Sequence, residues 1–289
     1  MGCGENSPTH RRSLFSHKEV IVSSSSRVAI VTGASGGLGR ACAAFLAENG
    51  WVVYGTSRSA AIEATKAGGF AMLRMDVTDG ESIARAIGII MEKEGRLDAV
   101  VNNAGLHVVG PLETIAIEEI EKCWRTNCLG AMLVCREALP VMRRQGRGHI
   151  VNVSSVGGVV GLPFQGAYSG SKFALEGMTE SLRTEARPFG IWVSLIQPSD
   201  IRHQDCRSDA PVTREYEESY ARVMKIAWAD EEKGFPPEKL GPLVLKILNN
   251  PKPRARYTFG QAFQRTVPLL KRLLPNRITE WALGLYYRV

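Results

Sequence analysis

At 289 residues, 44% hydrophobic and 22% charged, the chain has the composition of an ordinary globular protein, which excludes disordered and fibrous classes; α/β units of this size commonly form one core, so a single domain is expected. No window approaches the roughly eighteen uninterrupted apolar residues of a membrane-spanning helix. The net charge of +7 is local: residues 251–289 hold Lys252, Arg254, Arg256, Arg265, Lys271, Arg272, Arg277 and Arg288 against Glu280 alone, so the remainder is balanced and a nucleic-acid footprint across the fold is not expected.

Residues 1–26 are polar, include Ser23 to Ser26 and show no helix or strand period, so they are expected to form a mobile leader. The opening Met-Gly-Cys does not complete a myristoylation pattern, because Asn6 stands where Ser or Thr is required, and Val20 to Val22 is too short for a secretory signal. Strands are then expected over 27–32, 51–56, 71–77, 97–102, 149–154, 191–197 and 256–259. Most are near-continuous apolar runs, as for strands covered on both faces. Helices are expected over 38–49, 62–66, 81–94, 117–145, 169–189 and 237–249. This alternation predicts an α/β fold with a doubly wound parallel sheet and helices on both faces. Residues 199–235 are polar, weakly periodic and follow a strand end, where such folds bind ligands, so they are the candidate substrate lid.

Six cysteines form no CxxC pair and five histidines have no metal-ligand spacing, so no metal site and a reducing, cytoplasmic setting are expected. The basic end, 263–289, mixes Leu, Trp and Tyr with arginines and lysines in the manner of an interfacial helix. Pro268 and Pro275 break it into short pieces, so capping of the cleft or packing on a second subunit is preferred to membrane contact.

After the first strand stands Thr32-Gly33-Ala34-Ser35-Gly36-Gly37-Leu38-Gly39, a glycine turn leading into a helix, where backbone N–H groups and the helix dipole suit a pyrophosphate. The second strand ends in Ser57-Arg58-Ser59. An arginine there and no carboxylate favours the 2′-phosphate of NADP(H), with Ser35 able to add a hydroxyl. Ser155 precedes Tyr168 by thirteen residues, and Lys172 follows Tyr168 by four. At that last spacing an ammonium lies beside a phenol on one helix face and lowers its pKa, which makes Tyr168 an acid/base for a carbonyl or alcohol oxygen that Ser155 positions.

This set resembles the short-chain dehydrogenase/reductase family, over about residues 27–259, and within it the 17β-hydroxysteroid and retinol dehydrogenase branch, through Ser155-Val156-Gly157-Gly158 and Tyr168 to Gly177. The resemblance implies a Rossmann-type sheet in a catalytic domain of 27–262, followed by the basic amphipathic extension. It implies NADP(H) contacts at Gly33, Ser35, Gly37, Leu38, Gly39, Arg58, Asp76, Val77, Asn103, Ala104, Gly105, Tyr168, Lys172 and Ile201. Asn127 falls at the family's fourth catalytic position, beside Ser155, Tyr168 and Lys172, where it supports a proton relay. Partners are then a small carbonyl or alcohol substrate, with a bulky one hinted, and further copies of the chain in a homodimer or homotetramer. One departure is that Pro198-Ser199-Asp200-Ile201-Arg202-His203 lacks the glycine and threonine usual after the sixth strand, which leaves His203 in the threonine's place. The alternative is a non-catalytic NADP(H)-binding sensor or scaffold, which would have no use for Tyr168.

Overall fold

The computed structural model describes residues 26–61, 65–67, 69–202, 207–261 and 263–289; the leader through residue 25 and His203 lie outside them. The elements are β1 (Val28–Thr32), α1 (Gly37–Glu48), β2 (Val52–Ser57), β3 (Thr65–Ala67), β4 (Phe70–Arg74), α2 (Gly80–Glu94), β5 (Ala99–Asn102), β6 (His107–Val109) and α3 (Ile117–Trp124). A π-helical turn (Arg125–Gly130) leads into α4 (Ala131–Gln145), then β7 (Gly148–Val153), α5 (Gly166–Ala186), β8 (Ile191–Pro198), β9 (Arg207–Asp209), α6 (Glu217–Glu232), α7 (Leu240–Leu248), β10 (Arg256–Phe259), α8 (Val267–Leu273) and α9 (Asn276–Tyr287).

Seven strands run parallel in the order β10-β8-β7-β5-β1-β2-β4, with β3 antiparallel at the edge. The period-two alternation of β1 shows why its apolar run is unbroken. Val28 and Ile30 join Ile83, Ile87 and Ile90 of α2 and Val134 and Val141 of α4, whereas Ala29 and Val31 join Cys42 and Leu46 of α1 and Leu240 and Val244 of α7. Each fully buried aliphatic side chain contributes about 1.5–3 kcal/mol, so coverage of both faces outweighs local propensity here. The chain winds from β1 through β2 to β4, then restarts at β5 on the other side of β1. The crossovers diverge there and leave a crevice at the carboxyl ends of the strands.

Below that crevice a polar seam crosses the sheet. Asn102 donates to Asn152 (2.8 Å), Asn152 to Thr179 (2.9 Å) and Thr179 to the Leu175 carbonyl (2.6 Å), which joins β5, β7 and α5. Buried polar groups with partners fix one arrangement, since any other leaves them unpaired.

Three expectations change. The helix expected over 62–66 is not formed at its end: Thr65, Lys66 and Ala67 pair with Met72, Ala71 and Phe70 as an antiparallel hairpin, and 62–64 lie outside the described residues. The Gly68-Gly69 dipeptide is the overlooked signal, since two-residue hairpins need positive φ and Gly69 has φ +85°. The helix expected over 117–145 is continuous but widens between residues 125 and 130, where Gly130 packs so close to Val77 that a Cβ would lie 2.8 Å from Val77 Cγ2. The weakly periodic segment 199–235, apart from residues 203–206, which lie outside the described residues, holds a short strand and a helix. Its ends are closed by Phe235 N donating to the Asp200 carbonyl (3.1 Å) and Arg202 N to the Phe235 carbonyl (2.9 Å), β9 pairs in parallel with β6, and α6 follows.

The basic extension folds back over this segment as α8 and α9. Tyr287 is buried with Val223, Met224 and Ala227 of α6, and the Tyr286 hydroxyl donates to Asp230 (2.5 Å). Pro268 sits in the first turn of α8, where its missing N–H has no acceptor to lose, and Pro275 separates the two helices. Beneath them Asp200 accepts from the Gln264 amide. Burial, reinforced by the nearby Asp230 and Glu231 carboxylates, pushes its carboxyl up from 3.8 to about 6. The folded chain thus holds this proton more tightly than the unfolded one, and the resulting stabilisation, full below about pH 4, is lost as pH rises through 6. Asp200→Asn is expected to be more stable than the wild type at pH 7.5, by up to about 2–3 kcal/mol, with the advantage vanishing towards pH 4. Urea unfolding at both pH values checks this.

Candidate active site

The crevice begins at the glycine turn between β1 and α1. Gly33 has φ +67°, and a Cβ on it would lie 2.9 Å from Ala104 Cα, so the turn presses directly on the loop after β5. The two are stitched together: Thr32 Oγ1 accepts from the N–H groups of Asn103 (3.0 Å) and Ala104 (2.9 Å), and Asn103 Nδ2 donates to the Thr32 carbonyl (3.0 Å). Gly39 faces inward instead of lining the crevice; a Cβ there would overlap the Gly33 carbonyl and the Asn103 amide. Its role is to let α1 start close against the turn.

A cleft of 420 Å3 runs across these strand ends. Gly33, Ser35, Gly37 and Leu38 form its floor at one end, with the exposed Arg58 at the rim; Asp76, Val77, Asn103, Ala104 and Gly105 lie along it, and Tyr168, Lys172 and Ile201 close the other end. All the cofactor contacts expected from the sequence therefore line one cleft, except Gly39. The end of β2 presents Ser57, Arg58 and Ser59 with no carboxylate, while the Asp76 side chain is engaged by the N–H and hydroxyl of Thr78 (2.9 and 2.8 Å). Ser154, which contributes to the cleft lining, keeps its hydroxyl buried against Gly158 with no hydrogen-bond partner.

At the inner end β7 and α5 meet. Lys172 is 5% exposed, and its Nζ donates to the Val153 carbonyl (2.9 Å) and stands 5.8 Å from the centre of the Tyr168 ring. Ser155, two residues after Val153, accepts the Gly157 N–H on its Oγ (3.0 Å), which fixes that oxygen and leaves the hydroxyl proton for another acceptor. Asn127 is 1% exposed, within the π-helical turn. Its Oδ1 accepts from Leu106 N (2.7 Å), and its Nδ2 donates to the Leu106 carbonyl (2.8 Å) and Ser171 Oγ (2.9 Å). Single π turns inside α-helices recur at functional sites because they redirect a side chain.

Sequence reasoning did not single out His107, at the start of β6. Its ring lies 4.4 Å from that of Tyr168, and its Nε2 shares a hydrogen bond with Gln165 (2.8 Å). Nothing in the local pattern marks it, since it follows the Asn102-Asn103-Ala104-Gly105 stretch as an isolated polar residue. Five residues, His107, Ser155, Tyr168, Ser199 and Ile201, also belong to a second cavity of 270 Å3, which continues away from the cleft and is predominantly apolar. Val156, Val160 and Leu162 wall one side of it, and Val267, Leu270, Leu274 and Leu283 of the extension roof it. Among the described residues no group of three His, Cys, Asp or Glu is placed to hold a metal ion, and no helix is long and apolar enough to cross a membrane.

A family profile described as short chain dehydrogenase matches residues 27–211. The chain is 38% identical over 268 residues to a 3-ketodihydrosphingosine reductase of Bacteroides thetaiotaomicron, covering 91% of this chain and 98% of that one. It is 32% identical to the human 17-beta-hydroxysteroid dehydrogenase type 1, covering 86% and 81%. Among solved structures, a short-chain dehydrogenase from Streptomyces avermitilis superposes with a TM-score of 0.77 at 28% identity, covering 89% and 96%. Two further structures of this fold contain nucleotides: one from Burkholderia phymatum in complex with NAD (TM-score 0.70, 22% identity, 89% and 95% covered) and a metagenomic oxidoreductase in complex with NADP (0.62, 26%, 82% and 98%). With the profile spanning most of the sheet and relatives above 30% identity along nearly the whole length, this chain belongs to the short-chain dehydrogenase family of oxidoreductases, in its 17β-hydroxysteroid and retinol dehydrogenase-like branch.

Proposed function

We propose that this chain is an NADP(H)-dependent oxidoreductase that interconverts a ketone and a secondary alcohol on a substrate with a long apolar portion. The observation that carries the reading is the junction of the two cavities at Ser155 and Tyr168. The glycine turn, Arg58, Asp76, Asn103 and Lys172 would hold a nicotinamide dinucleotide, which when bound would supply or accept the hydride. Ser155 donates its free hydroxyl proton to the substrate oxygen and so fixes the carbonyl at Tyr168. Tyr168 gives its phenolic proton to that oxygen in reduction and takes it back in oxidation. Lys172, one helical turn on, stabilises the phenolate and so brings the acid/base within reach of neutral pH. Asn127 keeps the loop at Leu106 and the helix at Ser171 in register, from where it supports proton relay beside Lys172.

The apolar cavity and the similarity to a 3-ketodihydrosphingosine reductase together favour a 3-keto substrate with an aliphatic chain over a compact one. The partly buried Asp200 in the same cavity is suited to a substrate that carries an amino group. Purified protein incubated with NADPH or NADH and a panel of 3-ketodihydrosphingosine, a steroid ketone and short ketones, followed by loss of reduced nucleotide, tests the reading. Turnover of none of them would sink it.

Two variants test the roles. Tyr168→Phe removes one hydroxyl and little volume, so kcat is expected to fall at least about 100-fold while NADPH affinity is retained; a fall of less than threefold would assign the acid/base elsewhere. Arg58→Asp is expected to invert the nucleotide preference. Loss of a charge-assisted contact of roughly 1.5–3 kcal/mol shifts the NADPH to NADH ratio of kcat/KM on the order of tenfold to a hundredfold. An unchanged ratio would place Arg58 in solvent.

A further inference from the structure

Helices α8 and α9 carry apolar residues on two faces. Val267, Leu270 and Leu274 recur at helical spacing and line the second cavity, as do Ala282, Leu283 and Tyr287. Setting these aside leaves Leu269 and Leu273, four apart, and Ile278, Trp281 and Leu285, at spacings of three and four, all of them exposed; Leu273 is 68% and Trp281 66% accessible. Exposed Arg265, Arg272, Arg277 and Arg288 lie among them, with Glu280 the lone acid of the extension. Single exposed leucines are ordinary, but a helix pair that is apolar inside and outside is expected to be covered on both sides.

We propose that the outer face of α8 and α9 docks on an anionic lipid bilayer. Capping of the cleft and contact with a membrane, set against each other in the sequence, are assigned to opposite faces of the same two helices. Charge selects the bilayer. A symmetric second copy would bring this set of arginines against itself, whereas anionic headgroups complement it. At seven and twelve residues the helices are far too short to span a membrane, so they lie in its interface, where tryptophan is favoured and arginines reach the headgroups. Docked in this way, the roof of the apolar cavity meets the bilayer, and an aliphatic substrate passes between the two without crossing water. That consequence rests on the proposed reaction; the docking itself does not.

The test is flotation of the full-length protein with vesicles of phosphatidylcholine alone and of phosphatidylcholine mixed with phosphatidylglycerol, at low and high salt and without substrate. Co-flotation is expected only with the anionic vesicles and is expected to decline as salt rises, because screening shortens the reach of each charge. Leu273→Ser with Trp281→Ser, and separately Arg272→Glu with Arg277→Glu, should each lower the floated fraction at least tenfold. Thermal melting and turnover of a short, soluble ketone should stay as in the wild type. No flotation with anionic vesicles at low salt, or flotation unaffected by both double variants, overturns the proposal. So does conversion of a dimer to a monomer by the serine variant with vesicle binding unaltered, which would make a second copy the cover of this face. Because flotation needs no turnover, loss of docking and failure of the proposed reaction are separate results.

Discussion

A buried ammonium holds its charge only where its donors find acceptors, and that requirement at Lys172 organises the centre of this protein. The effective cost of burying such an ion without partners is several kcal/mol. The contact with the Val153 carbonyl relieves it by joining α5 to the last residue of β7. Two positions follow without further constraint: Ser155 is two residues beyond Val153, and Tyr168 is one helical turn before Lys172. Ser171 extends the arrangement, since its hydroxyl donates to the Tyr168 carbonyl (2.7 Å) and accepts from Asn127. Lys172 and Ser171 are thereby tied to main-chain acceptors, which do not change rotamer, and Asn127 joins them through the Ser171 hydroxyl.

The seam of Asn102, Asn152 and Thr179 serves the same geometry from below. Were it apolar, β5, β7 and α5 would still pack, but sliding of the helix along the sheet would cost little. Its two amide-donated hydrogen bonds make each offset expensive, because a slip breaks them in low dielectric. The roof is held differently. Its own parts are joined by Gln264 to Asp200, Tyr286 to Asp230 and the ion pair of Arg207 with Glu231, so the fit of the terminal helices on the segment before them changes with pH as Asp200 titrates.

Legibility in the sequence follows this division. The parallel strands were readable because burial on both faces leaves apolar runs, and Tyr168 with Lys172 because helix geometry converts a spacing of four into proximity. Arg58 was readable because the residue at the end of β2 faces the cleft whatever its identity. β6 and β9 were not: three residues each, almost a hundred apart in sequence, they pair through backbone groups that leave no side-chain pattern. β3 was hidden behind a short run that reads equally as helix. In α6 the stripe Tyr220, Val223, Met224 and Ala227 was present at spacings of three and four, but acidic and basic residues on the exposed face diluted it. His107 is held beside Tyr168 by Gln165, by the grip of Asn127 on Leu106 and by the pairing of β6 with β9, tertiary contacts that local sequence does not encode.

The reaction class and the substrate are therefore written in different kinds of sequence. In the proposed reaction, proton transfer depends on groups at strand ends and on one helix, where a shift of about 1 Å is costly, and regular elements impose that accuracy through periodicity a reader can detect. Selection of the substrate depends on the volume and polarity beneath a roof made from an excursion after β8 and a terminal helix pair. That roof packs on the rest of the fold through the pairing of β9 with β6 and an apolar cluster of Val109, Val223, Met224 and Tyr287. On the proposed function, the residues that distinguish this chain's substrate from those of other family members are to be sought in residues 199–235 and 263–289.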